Sequence, residues 1–166
     1  ERDPMLNRSE WTVTASSQEA TGEGAGNGVA SCIIDGNNST YWHSQWSGSE
    51  HGYPHWFMID MKEVKSFDEF EYISRGNGTS DDGANNGNIL NYVLYVSDTE
   101  IDPNNLDAAT KVTEGSFTYD GTSNSHKVAV TPAEGRYVML YATGQSANGR
   151  VNASCTEFYL YKDDYC

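Results

Sequence analysis

Ile33-Ile34-Asp35-Gly36-Asn37-Asn38-Ser39-Thr40-Tyr41-Trp42-His43-Ser44-Gln45-Trp46 gathers oxygen ligands, aromatic rings and an imidazole into one short stretch. Two apolar residues lead into Asp35-Gly36, so a short strand or core-packed segment ends there in a turn, because Asp and Gly tolerate turn dihedrals. Asp35 offers a carboxylate and Thr40 a hydroxyl. The compact Gly-Asn-Asn-Ser loop between them turns backbone carbonyls inward, and these are the oxygens that a hard cation such as Ca2+ prefers. The same residues also suit an Asx-turn closed by a hydroxyl, with no ion.

Beyond the loop the side chains alternate. An extended backbone over residues 41–46 sends Trp42, Ser44 and Trp46 to one side and His43 to the other, whereas a bend lets His43 and Trp46 converge. A flat apolar ring beside a polar ring that both donates and accepts matches a sugar, whose C–H face stacks on an aromatic while its hydroxyls take directional hydrogen bonds. Against this stands the ordinary fate of Trp and His, which is burial in a core.

Working outward, Glu10-Trp11-Thr12-Val13-Thr14-Ala15-Ser16-Ser17 alternates and is rich in β formers, which predicts a first strand with Trp11 and Val13 inward. Gly22-Glu23-Gly24-Ala25-Gly26-Asn27-Gly28 is a loop. It lacks the strand-before, helix-after setting and the Lys of a phosphate cradle. His51 and His55 are spaced to share a helical metal face, but Gly52 and Pro54 forbid that helix. Strands are predicted over His55-Trp56-Phe57-Met58-Ile59-Asp60-Met61 and over residues 66–75, where Phe70, Tyr72 and Ser74 share a face.

Arg75 ends that second strand and opens a long Gly/Asn/Ser loop over residues 76–89, the kind of segment that carries function or disorder. A guanidinium among amide side chains can grip vicinal hydroxyls through its fork of donors. Further strands are predicted at residues 91–97, around Val112, Phe117 and Tyr119, at 125–132 and 135–142, and at 151–161, with at most one helical turn over 98–110. Short strands with turns every dozen residues have the spacing of a sandwich or barrel, so the fold class is all-β. No Gly-x-Ser-x-Gly elbow or pair of acidic strand ends argues for a hydrolase.

The chain has 166 residues, which suits one domain with a real core. Its net charge of -14 repels phosphate backbones and anionic bilayers, which makes nucleic acid and membrane poor partners. With no run of eighteen apolar residues and an abrupt start at Glu1-Arg2-Asp3-Pro4, the chain reads as processed or as a module cut from a larger protein. Residues 1–9 are expected as a tether, 10–162 as the module and 163–166 as a tail. The three cysteines, Cys32, Cys155 and Cys166, lack zinc-ligand spacing. A Cys32–Cys155 bridge in an oxidising compartment and three reduced, packed thiols both remain open.

In order and spacing, several stretches together resemble the coagulation factor V/VIII type C (discoidin) domain, and within it the family 32 carbohydrate-binding modules, over about residues 10–162. They are residues 11–17, Ile34-Asp35-Gly36-Asn37 with Thr40-Tyr41-Trp42-His43-Ser44, residues 55–61, Phe70-Glu71-Tyr72-Ile73-Ser74-Arg75, Asn86-Gly87-Asn88-Ile89, residues 92–97, Gly135-Arg136-Tyr137-Val138 and Thr156-Glu157-Phe158-Tyr159-Leu160-Tyr161. The resemblance implies a jelly-roll β-sandwich with ligand loops at one end and a structural Ca2+. The cation set it implies is the side chains of Asp35, Thr40 and Glu157 with backbone carbonyls near Cys32 and Asn37. It also brings Cys32 and Cys155 near one another.

For sugar contacts the resemblance implies His43, Arg75, Asn86 and Trp46, with Asn85 or Asn88 as alternatives to Asn86 and Glu23 as a candidate acidic contact. The 143–150 loop offers no aromatic for a second wall. Axial O4 of galactose needs a donor on one side of the ring while the opposite C–H face stacks, so His43 and Arg75 are expected on O3 and O4, Asn86 on a neighbouring hydroxyl and Trp46 on the apolar face. The function implied is a non-catalytic module for terminal galactose or N-acetylgalactosamine that targets an attached glycan-degrading enzyme. It is expected to be a monomer, extracellular or at a bacterial cell surface or periplasm. The competing reading is a protein- or membrane-binding discoidin-type adhesion domain. A glycan on the Asn38-Ser39-Thr40 sequon would sit on the cation loop, which favours a bacterial source.

Overall fold

The computed structural model describes residues 4–163 and is built almost entirely from antiparallel strands. These are β1 (Thr12–Ala15), β2 (Trp42–His43), β3 (His55–Ile73), β4 (Asn91–Ser97), β5 (Thr110–Ser116), β6 (Ser125–Thr143), β7 (Ser154–Cys155) and β8 (Glu157–Tyr161), with short 3-10 turns at Ala30–Ile34, Gly83–Asn85 and Leu106–Ala108. The apolar run before Asp35 is therefore a packed 3-10 turn rather than a strand. Gly36, at φ +73°, makes the reversal that the Asp-Gly pair predicts.

The six-stranded sheet has the order β1-β3-β6-β4-β5, with β8 added beside β3. The two 19-residue strands, β3 and β6, fold it into a sandwich. The first half of β3 pairs with β1 and with the second half of β6, and its second half pairs with β8 and with the first half of β6. Sequence predicts two separate strands flanking residues 62–65, one on each side, and likewise two flanking the 132–135 turn. The structure instead runs one ribbon through each, with the register broken between Asp60/Lys65 and Phe67/Glu69 and Lys62 at φ 71°. Such irregularities bend a strand, and here they carry the chain from one layer to the other.

The layers close over one aromatic core. Trp42, Phe57, Phe67, Phe70, Tyr72 and Phe158 are all at most 1% exposed, and each contributes roughly 1.5–3 kcal/mol by leaving water. Phe57 meets Phe158 edge-on at 5.2 Å, and Phe70 meets Tyr92 at 5.6 Å. Trp11 is buried and Val13 packs on this core, as the alternation of the first strand predicts.

Residues 4–9, expected as a tether, lie along β8: Leu6 N donates to Leu160 O at 2.9 Å and Lys162 N to Pro4 O at 2.8 Å. β8 is an edge strand, and its unpaired backbone groups take this partner. Of the two states left open for Cys32 and Cys155, the structure has the unbridged one. Cys32 Sγ turns to Gly26 O and Cys155 Sγ to Glu157 O, and both thiols are free and buried. Cys166 lies outside the described residues.

Candidate functional site

Loops at one end of the sandwich enclose a cleft of about 340 Å³ lined by Glu23, His43, Trp46, Glu50, Arg75, Gly83, Asn86, Arg150 and Asn152. All of His43, Trp46, Arg75 and Asn86 are among them, although they come from separate stretches of the chain.

His43 ends the two-residue strand β2, which pairs with β7 (Trp42 opposite Cys155, His43 opposite Ser154). Trp42 goes to the core, and its Nε1 donates to Ser17 O at 2.8 Å. His43 Nδ1 lies 2.7 Å from Ser44 O, so it is the donor nitrogen, and Nε2 of the neutral ring is left as an acceptor facing the cleft. Burial, with Arg75 nearby, holds the imidazole below its ordinary pKa against the opposing pull of Ser44 O and Glu23.

Arg75 follows β3, and its guanidinium lies 3.9 Å over the Tyr41 ring. Among the described residues it donates no side-chain hydrogen bond, so its fork is free. The Tyr41 hydroxyl donates to Glu23 Oε1, and burial first, then this bond, pushes the phenol up to about 12. The other oxygen of Glu23 accepts from Trp46 Nε1 at 2.7 Å and lies 4.0 Å from His43 Nε2. Burial raises the Glu23 pKa, but the hydrogen bonds from Tyr41 and Trp46, with His43 and Arg75 close by, outweigh it and keep the carboxylate ionised. Trp46 is 39% exposed, so its indole is held at one edge and open to the cleft.

One residue that sequence reasoning missed assembles this wall. Glu19 is 1% exposed, and its carboxylate accepts from the backbone N–H of Gly22 (2.8 Å), Trp46 (2.9 Å) and Ser47 (2.8 Å) and from the Ser47 hydroxyl. These bonds hold its pKa far below the carboxylate range. It clasps the glycine loop that carries Glu23 to the segment that carries Trp46. Nothing in Ser17-Gln18-Glu19-Ala20 signals that role.

The opposite wall is the 76–89 loop, built on two buried amides. Asn85 Nδ2 donates to Ser80 O and its Oδ1 accepts from Gly78 N; Asn88 Nδ2 donates to Gly78 O and its Oδ1 accepts from Gly76 N. A Cβ on Gly76 would lie 2.1 Å from Asn85 Oδ1 and 2.6 Å from Ala84 O, so only glycine fits. Of the three candidate asparagines, Asn86 alone lines the cleft. Its Oδ1 accepts from Asn148 Nδ2 at 2.9 Å, which leaves its own amide N–H groups for a ligand. The 143–150 loop has no aromatic, but it supplies Arg150, which sequence reasoning did not single out.

The cation candidates also converge. Thr40 Oγ1 lies within hydrogen-bond reach of Asp35 Oδ2 and of Asn37 O (3.1 Å), so a single hydroxyl proton is shared between two acceptor oxygens. Cys32 O lies 3.5 Å from Asp35 N. Glu157 returns from β8, its Oε2 accepting from Gly36 N at 3.0 Å and its Oε1 from Arg8 Nη1 at 2.7 Å. Burial first, then the facing Asp35 carboxylate, lift Glu157 to about 7 despite Arg8. Among the described residues no three His, Cys, Asp or Glu side chains converge on one point. The cluster is two carboxylates with neutral hydroxyl and carbonyl oxygens, a donor set that suits Ca2+ rather than zinc. His51 and His55 do not pair as ligands: His51 Nε2 lies 3.1 Å from Gln45 Oε1 and His55 Nε2 lies 2.7 Å from Val151 O.

The profile of the F5/8 type C domain matches residues 12–158. A sialidase of Micromonospora viridifaciens is 32% identical over 128 residues, which is 76% of this chain and 18% of that protein, so the chain spans under a fifth of that curated relative. Among solved structures, CpGH89CBM32-5 from Clostridium perfringens, in complex with GalNAc-β-1,3-galactose, superposes with a TM-score of 0.73 at 25% identity over 95% of this chain and 99% of that one. The C-terminal domain of a chitobiase from Bacteroides fragilis gives 0.77 at 25% identity over 96% and 97%. The family 32 module of Clostridium perfringens NanJ, in complex with galactose, gives 0.73 at 24% over 96% and 98%, a likeness of fold.

Proposed function

The chain belongs to the F5/8 type C domain family, and from that premise we propose that it is a non-catalytic carbohydrate-binding module for terminal galactose or N-acetylgalactosamine. The observation that carries this reading is the pairing, across one cleft, of an acceptor-only imidazole nitrogen with a free guanidinium, beside an indole that is half open. A sugar hydroxyl both donates and accepts, so it can give its proton to His43 Nε2 while Arg75 donates to its oxygen. Two adjacent hydroxyls, one of them axial as in galactose, meet both groups and leave the C–H face to Trp46. The Asn86 amide serves a neighbouring hydroxyl or an acetamido carbonyl.

Glu23 serves this reading as an orienting group: each of its oxygens accepts a hydrogen bond, from Tyr41 and from Trp46, and the carboxylate is held ionised, so it has no proton to give. Complexes of GalNAc-β-1,3-galactose and of galactose with modules of the same fold support the choice of sugar. The sialidase relative supports an extracellular role as one part of a larger glycan-degrading protein. We further propose that Asp35, Thr40 and Glu157, with the carbonyls of Cys32 and Asn37, hold a structural Ca2+. That ion would supply positive charge between two carboxylates and tie the early loop to β8. A shallow single-sugar site gains few contacts, so affinity is expected at roughly micromolar to millimolar.

The test is titration calorimetry with methyl β-galactoside and its N-acetylgalactosamine counterpart, preceded by a glycan array. His43→Ala and Arg75→Ala should each abolish measurable binding while the melting curve keeps its shape. If both variants bind like the parent, the assignment of the site is wrong.

A further inference from the structure

Resting on the sugar-binding reading above, we infer that the cleft has a second subsite, formed by Arg150, Asn152 and Glu50 opposite Gly83, which takes the next, neutral sugar of a galactose-terminated glycan. The groups that suit one terminal hexose, His43, Arg75, Trp46 and Asn86, account for only part of the lining. At about 340 Å³ the cleft reaches the range of sites that hold ligands larger than one ring, roughly 300–1,000 Å³. The remaining lining is organised separately from the Glu23 network. Arg150 Nε and Nη2 donate to Asp81 Oδ1 (2.6 Å) and Oδ2 (3.0 Å), and Asn152 Nδ2 donates to Glu50 Oε2 at 3.3 Å.

These bonds leave defined capacity for a ligand. Arg150 keeps both N–H groups of Nη1, and Glu50 Oε1 accepts no hydrogen bond among the described residues. Two donors and a carboxylate acceptor match the hydroxyls of a second pyranose. The backbone under Arg150 is itself braced: Arg150 N donates to the Ser146 hydroxyl at 3.1 Å, and Ser146 N donates to Arg150 O at 3.0 Å. Arg150 is already paired in fork geometry with Asp81, and Glu50 adds a second carboxylate, so this half repels an anionic sugar and selects a neutral one. Gly83 keeps the space open. It lines the cleft, and a Cβ built there meets nothing within 4 Å.

The experiment compares methyl β-galactoside with lactose and with galactose-β-1,3-GalNAc, both galactose-terminated, by calorimetry, on the parent and on Gly83→Leu and Arg150→Ala. In the parent, at least one disaccharide should bind roughly fivefold tighter than the monosaccharide, the worth of one or two added hydrogen bonds. Both variants should erase that gap while binding methyl β-galactoside as the parent does, which also shows that they fold. Equal affinities in the parent, a gap that survives both substitutions, or an equal loss on every sugar would overturn the second subsite and leave the galactose reading standing. Failure of the parent to bind any of the three sugars would overturn both.

Discussion

Trp46 Nε1 donates to Glu23 Oε2 at 2.7 Å, and through that bond a single carboxylate holds the open indole at the mouth of the cleft. The same side chain takes the Tyr41 hydroxyl, whose ring lies under the Arg75 guanidinium, and it faces His43 Nε2 at 4.0 Å. Three of the proposed sugar contacts therefore share one positioning residue. Preorganisation of this kind lowers the ordering cost of binding without adding a contact.

Glu23→Ala should weaken binding of methyl β-galactoside by roughly five- to tenfold, from the loss of one charge-assisted bond and the freedom restored to Trp46. Calorimetry measures the affinity, and a thermal melt on the same sample should move little because the side chain sits at the cleft rather than in the core. An affinity equal to the parent's would mean that Trp46 is held by its packing alone.

Glu19→Gln should lower the melting temperature more than any substitution of a surface carboxylate, since an amide cannot accept all the N–H and O–H groups that converge there. The folded-state pKa is depressed, so this stabilisation is complete above the unfolded value near ~4.3 and is lost as pH falls towards the folded one. The melting temperature of the parent should therefore drop in that acid window, and that of Glu19→Gln should drop less.

Affinity should be level from pH 8 down to the ordinary histidine value of about 6.5 and should fall only below it, because burial holds His43 under that value. Protonation removes the Nε2 lone pair and makes that nitrogen a donor facing Glu23, with Arg75 and Glu19 the other charges that bear on it. Loss of that acceptor is worth roughly fivefold. Titrations at pH 7.5 and 5.0 measure it; a constant affinity would show that Nε2 accepts nothing from the ligand.

Calcium at a hundred times its dissociation constant should stabilise the fold by about 2.7 kcal/mol through linkage. Thorough chelation should lower the melting temperature correspondingly, and Asp35→Asn should blunt the shift. Sugar affinity at room temperature should change less, because the proposed ion lies outside the cleft. Identical melts with calcium and with chelator would remove the proposal.

The legible part of the fold is the part written in short-range pattern. Alternation placed β1 and β4 closely, and the Asp35-Gly36 turn and the glycine loop are where local chemistry puts them. The joined strands β3 and β6 were not legible, since a polar interruption such as Lys62-Glu63-Val64-Lys65 looks the same whether the chain turns back or bends onward. Of Asn85, Asn86 and Asn88, adjacent and chemically alike, two are consumed inside their own loop and one faces the cleft. Only the folded loop separates those fates.

The sequence by itself determined an all-β chain, an acidic composition, an oxygen-rich turn and the imidazole, guanidinium, amide and indole that line one cleft. The tertiary structure alone decided that Glu19 clasps two loops, that Glu23 orients Trp46 and Tyr41, that Arg8 meets Glu157, and that Cys32 and Cys155 stay unbridged. Backbone periodicity is a property of neighbouring residues and can be read along the chain. A hydrogen bond from Trp46 to Glu23, or from Arg8 to Glu157, joins groups 23 or 149 positions apart and exists only once the sandwich has brought their loops together.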